Sequence, residues 1–165
     1  MSATPIVESF SLRDPDATDR LGRSLADTVP PRAVVYLRGD LGAGKSTLAR
    51  ALLQRLGVTG PIKSPTYTLI ERYPLPDGEA AHLDLYRIAA SGELDFLGLD
   101  DIAAQARLWL VEWPERGDGS LPAADIEIAL AIDGAGRRAT ITAASPVGTG
   151  WLANLSKLAA PGGSA

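Results

Sequence analysis

The sequence predicts an α/β domain of three layers, a mixed parallel and antiparallel central sheet between flanking helices. Three observations predict it. The apolar run Ala33-Val34-Val35-Tyr36-Leu37 leads into Gly39-Asp40-Leu41-Gly42-Ala43-Gly44-Lys45-Ser46, which fits G-x-x-x-x-G-K-[ST] at every required position. Ser46 to Leu56 then carries apolar residues at helical spacing, completing a strand, loop and helix unit. Late in the chain, Ile126, Ile128, Leu130 and Ile132 alternate with period two before the turn Asp133-Gly134-Ala135-Gly136 and a return strand Ala139-Thr140-Ile141-Thr142.

The other elements follow in chain order. Ile6 to Leu12 reads as a short strand, and Asp14-Pro15-Asp16 starts a helix that carries Leu21, Leu25 and Val29 and stops at Pro30-Pro31. Gly57 ends the helix after the glycine-rich loop as a left-handed cap. Ile62 to Ile70 is a proline-broken segment passing into a β-branched stretch, with a turn expected from Pro74 to Gly78. In the strand Ala81 to Tyr86, period two puts Leu83 and Leu85 on one face and His82, Asp84 and Tyr86 on the other, expected to be polar. Ser91 to Leu97 is expected to form a short helix closed by Gly98, and Leu99 to Ala106 another. Leu108-Trp109-Leu110-Val111 is a continuous apolar run of the fully buried kind, ending in Glu112. Trp151 to Leu158 is expected to close a single domain over residues 1–158, with 159–165 a disordered tail.

The glycine-rich loop has a definite chemistry, that of a P-loop NTPase-like fold. Its glycines let backbone N–H groups close around phosphate oxygens, and the helix that follows adds partial positive charge at its N-terminus. Gly39, Asp40, Leu41, Gly42, Ala43 and Gly44 would form the cradle. Lys45 would reach the β- and γ-phosphates, Ser46 would give a hydroxyl to Mg²⁺, and Thr47 would touch the α-phosphate. No N-K-x-D guanine selector is present, and Asp95-Phe96-Leu97-Gly98 matches D-x-x-G only in a helical context, so ATP is the expected nucleotide.

Composition excludes other classes. With 16 basic against 20 acidic residues and a net charge of −4, the chain lacks the broad basic face expected of a protein gripping nucleic acid unaided. It has no cysteine, which removes disulfides, thiolate metal sites and cysteine nucleophiles. No run approaches the roughly 18 to 20 apolar residues needed to span a bilayer, and a cytoplasmic location is expected.

A phosphate loop needs a second acidic group for Mg²⁺ or its waters, normally at the end of a hydrophobic strand, and Glu112 stands there. The plainer reading is a solvated strand-end charge. Thr66 occupies the place of a switch threonine that senses Mg²⁺ or the γ-phosphate, or else belongs to a turn entering a strand. Either Asp84 or Glu112 would position the attacking water; Asp84 would orient or deprotonate it, or would only pair with Arg87 or His82. Arg137-Arg138 would contact a phosphate or an acidic partner, or remain solvated.

Taken together these pieces resemble one family, the bacterial tRNA threonylcarbamoyladenosine biosynthesis ATPase TsaE, also called the YjeE family. The resemblance rests on Gly39 to Thr47, Lys63-Ser64-Pro65-Thr66-Tyr67-Thr68-Leu69, His82-Leu83-Asp84-Leu85-Tyr86-Arg87 and Val111-Glu112-Trp113-Pro114, in that order between roughly Ser9 and Thr142. It implies an ATPase, using ATP and Mg²⁺, that works with TsaB and TsaD during threonylcarbamoylation of the tRNA adenosine beside the anticodon, meeting tRNA only through that complex. It also implies phosphate and metal roles for Lys45 and Ser46, a required Asp84, and a metal-site role for Glu112. Trp113 would lie near the nucleotide or in the core. The adenine pocket would draw on Ser9 to Leu12, including Ser11, and on Gly136 to Arg138, including Arg137. Two other classes share the loop: a stand-alone small-molecule kinase, for which no arginine-rich lid is visible, and a nucleotide-gated interaction protein, which overlaps with what the resemblance implies. No obvious arginine finger lies near the loop, so turnover is expected to be slow without partners.

Overall fold

Apolar runs without alternation ask for burial on both faces, and residues 33–37 and 108–111 become inner strands of a seven-stranded sheet. The computed structural model describes residues 4–89, 91–117 and 119–159. Its strands are β1 (Val7–Leu12), β2 (Ala33–Arg38), β3 (Ile70–Leu75), β4 (Gly78–Asp84), β5 (Ala106–Glu112), β6 (Ile126–Asp133) and β7 (Gly136–Ala143). Its helices are α1 (Pro15–Thr28), α2 (Lys45–Leu56), α3 (Leu99–Gln105) and α4 (Pro146–Ala159). The order across the sheet is β1-β7-β6-β2-β5-β4-β3. The inner strands β4, β5, β2 and β6 are parallel, and antiparallel pairs close both edges.

Strand parity divides the core into two clusters. Ala33, Val35 and Leu37 of β2 and Leu108 and Leu110 of β5 pack with Leu25 of α1, Leu48 and Leu52 of α2, and Leu155 of α4. Alternate residues, Trp109 and Val111 of β5 with Ala81 and Leu83 of β4, pack with Leu94 and Ile102 on the other side. Helices therefore cover both faces, as the three-layer expectation requires. The strand ends β2, β4 and β5 share a level, because Glu112 is the register partner of both Leu37 and Asp84.

Local signals set most boundaries. Asp14 caps α1 by accepting from the Ala17 N–H at 2.8 Å, with Pro15 in the first turn. Gly57, at φ 113°, ends α2: its N–H donates to the Gln54 carbonyl and that of Val58 to Leu53, both at 3.1 Å.

Several expectations need correction. Pro74 lies inside β3 and the turn shifts to Pro76 and Asp77; β3 is an edge strand, where a missing N–H costs no ladder bond. Ser91–Phe96 is the short helix expected there and takes the 3-10 form. α4 begins at Pro146, well before Trp151, because the Ser145 hydroxyl accepts from the Gly148 N–H at 2.9 Å and caps it. The face holding His82 and Asp84 keeps its predicted parity and polar side chains, and both side chains are buried. Of the tail assigned to disorder, residues 160–165 lie outside the described residues.

Candidate active site

The phosphate loop leaves β2 after Arg38 and ends at the N-terminus of α2. Gly39, at φ 147°, is required by close approach, for a Cβ there would stand 2.6 Å from the Leu130 carbonyl oxygen. Within the loop Leu41 is largely exposed, Ala43 is buried, and the Ala43 N–H donates to the Asp40 carbonyl at 3.1 Å. Lys45 is buried, and its Nζ donates to the Gly39 carbonyl, with the Asp40 carbonyl at 3.5 Å. Ser46 is exposed at the start of α2.

Three acid–base side chains face the same side of the sheet as this helix. His82, Asp84 and Glu112 share parity with Ala80, Leu108 and Leu110, which pack in the cluster beneath α2. Glu112 is therefore not a solvated strand-end charge: it is 4% exposed, and its Oε2 lies 2.7 Å from His82 Nε2. Asp84 pairs with neither Arg87 nor His82. Its Oδ1 accepts from the Tyr86 N–H at 3.1 Å, and its Oδ2 lies 3.5 Å from Thr66 Oγ1, whose hydroxyl meets Ser64 Oγ at 2.8 Å. Burial pushes the Asp84 carboxyl above the ordinary carboxylate range; the Tyr86 N–H opposes this, Glu112 adds to it, and His82 and Lys45 pull it back. Thr66 sits in a turn, as the plainer reading of that residue has it, with its Oγ1 3.5 Å from Asp84 Oδ2.

Aromatic rings border the loop. Trp113 adopts φ 57°, a left-handed conformation rare for a bulky residue, and its ring centroid lies 4.8 Å from Lys45 Nζ. Tyr86 follows at 5.0 Å between ring centroids. Trp113 is thus half-buried, packed against the second core cluster with its ring beside the loop.

On the other side of the loop lies a cavity of about 180 Å³. Leu12, Asp14, Pro15, Thr18, Gly42, Gly44, Thr47, Ala135, Gly136 and Arg137 line it. Arg137 reaches back to donate to the Gly42 carbonyl at 3.1 Å. Ser11 is exposed on β1 opposite Arg138, so the wall there is its neighbour Leu12. Arg138 lies 3.4 Å from Asp133 at the surface. Sequence reasoning missed Asp14, Pro15 and Thr18; the helix start at Asp14-Pro15 was legible, but nothing local aims it at the loop. A larger depression, about 430 Å³ beside Tyr36, Arg38 and Glu115, is lined by no phosphate-loop residue, so the smaller cavity is the one continuous with the chemistry.

The arrangement suits a polyphosphate: a glycine-rich cradle, one buried cation, two strand-end carboxylates and an adjoining cavity. Residues 12–140 match the family model for the threonylcarbamoyl adenosine biosynthesis protein TsaE. The tRNA threonylcarbamoyladenosine biosynthesis protein TsaE of Haemophilus influenzae is 52% identical over 93 residues, a stretch covering 56% of this chain and 59% of that protein. The protein of the same name from Bacillus subtilis is 34% identical over 117 residues, covering 71% of this chain and 73% of its own. The crystal structure of Bacillus subtilis YdiB superposes with a TM-score of 0.79 at 27% identity, covering 94% of this chain and 97% of the other. On the extent of the family match and the sheet that carries it, the chain belongs to the TsaE family of threonylcarbamoyl adenosine biosynthesis proteins.

Proposed function

We propose that the chain binds ATP with Mg²⁺ and hydrolyses it, and that this turnover supports TsaB and TsaD during threonylcarbamoyladenosine formation in tRNA. The observation that carries the reading is the placement of buried Lys45 in the phosphate loop, with Asp84 and Glu112 on the same sheet face. The donor set fits the metal: Ser46, Asp84 and Glu112 offer only hard oxygen ligands, the type Mg²⁺ prefers. Ser46 and Glu112 would hold it, directly or through its waters. When bound, it would neutralise charge on the phosphates.

The chain's own residues do the rest. Loop N–H groups and Lys45 stabilise negative charge on the γ-phosphate oxygens, and Lys45 exchanges its loop carbonyls for phosphate. Asp84 orients the attacking water, its raised proton affinity suiting it to accept a proton. Arg137 and the 180 Å³ cavity lie where the remainder of the nucleotide would extend. Leu41, Tyr67 and Tyr86 are exposed large apolar residues of the phosphate loop, the Thr66 turn and the end of β4, which supports completion of the site by a protein partner. Such completion is worth ~10³-fold or more in phosphoryl-transfer enzymes that receive an arginine from outside. In the test, Asp84→Ala binds ATP with near wild-type affinity and loses turnover; normal hydrolysis by that variant removes Asp84 from the mechanism.

A further inference from the structure

We infer that His82, the single histidine of the chain, is a positioning residue that fixes the Glu112 carboxylate for the metal-bound nucleotide. The inference rests on the reading of the site as one for MgATP, and it adds a residue that reading does not use.

The geometry is specific. His82 is 2% exposed and Glu112 4%, and the contact between Nε2 and Oε2 is 2.7 Å. A carboxylate only accepts hydrogen bonds, so the hydrogen-bond network assigns the proton to Nε2. Nδ1 is buried without a hydrogen-bond partner among the described residues, so no acceptor there competes for that proton. The His82 donor is also the only side-chain hydrogen-bond partner of Glu112 among the described residues, which leaves Oε1 without one.

A purely structural histidine would be expected to satisfy both ring nitrogens against backbone or solvent. This one leaves a buried nitrogen unpaired and spends its one bond on a carboxylate at the end of β5. Parity explains why it can. His82 stands two residues before Asp84 on β4, and β4 is register-paired with β5, so the ring crosses one strand spacing to meet Glu112. Histidine holding a carboxylate, or the reverse, is the usual outer support of a metal site, and its removal costs 10–100-fold in metal affinity or activity.

The experiment measures affinity for a non-hydrolysable ATP analogue across a range of Mg²⁺ concentrations by calorimetry, for the wild type, His82→Leu, His82→Met and His82→Gln. Leu and Met fill the space without a donor, and Gln places an amide N–H near the position of Nε2. The expected result is that Leu and Met raise the Mg²⁺ concentration giving half-maximal tightening by about 10-fold or more. Gln should stay within about 3-fold of wild type, and affinity without Mg²⁺ should be the same in all four. If Leu does not fold, Met against Gln carries the comparison. Wild-type Mg²⁺ dependence in the donor-free variants overturns the inference, as does an equal defect in Gln. A wild-type chain whose nucleotide affinity ignores Mg²⁺ overturns instead the reading on which the inference rests.

Discussion

Asp84→Asn should make the nucleotide-free protein more stable while removing its turnover. Asn keeps the shape and the Oδ1 acceptor for the Tyr86 N–H at 3.1 Å, and it removes a charge that is 7% exposed and in register with Glu112. Because burial raises the proton affinity of Asp84, the ionised form is less favourable in the folded chain than in the unfolded one. Relief of such functional-site strain is worth about 0.5–2 kcal/mol. At about 2–4 °C per kcal/mol for a chain of this size, the melting temperature should rise by about 1–8 °C. The sign with pH is fixed by linkage. Below the ordinary aspartate pKa both states are protonated and the variant gains nothing from the lost charge. Between that value and the raised folded value the folded chain holds more protons, so wild-type stability falls as pH rises, and above it the penalty is complete. Thermal unfolding followed by circular dichroism from about pH 3, below the ordinary aspartate pKa, to pH 8, without nucleotide or Mg²⁺, reads this directly. A variant less stable than wild type at pH 7, or a difference that does not widen with pH, would refute the reasoning.

Other substitutions probe other parts of the site. Lys45→Ala removes a charge-assisted phosphate contact worth about 1.5–3 kcal/mol, so ATP affinity should drop about 10- to 150-fold by equilibrium dialysis. Arg137→Ala breaks the bond to the Gly42 carbonyl and opens the cavity wall. At about 1–1.5 kcal/mol for that bond the melting temperature should fall by about 2–6 °C, and nucleotide affinity should weaken as the cavity loses a wall residue. Gly39→Ala puts a methyl group against the Leu130 carbonyl at a left-handed backbone position. It should cost about 1–3 kcal/mol and lower the melting temperature measurably even without nucleotide.

The legible parts of this chain were those written in local chemistry. Gly39 to Ser46 announces its loop because that spacing of glycines with Lys and Ser is a recognised phosphate-loop pattern, and period two placed His82 and Asp84 on one face of β4. What stayed hidden depended on which strands become neighbours. His82 and Glu112 are 30 residues apart and meet only because β4 lies beside β5; Arg137 and Gly42 are 95 apart and meet across the β6–β7 hairpin. Burial of the His82 face was not legible for the same reason, since alternation reports polarity and not whether a helix covers it. Pro74 within β3 reads as a break unless the strand is known to be at an edge. The early start of α4 was masked by Gly148 and Gly150, although Ser145-Pro146 carried the signal of a capped helix.

The most direct measurement is phosphate release from ATP and from GTP by the purified chain, with and without cognate TsaB and TsaD. Slow release from ATP alone, rising sharply when both partners are added and with little release from GTP, is the predicted result. Equal turnover with and without the partners, or a preference for GTP, would contradict the account of a partner-completed ATPase in tRNA threonylcarbamoyladenosine formation.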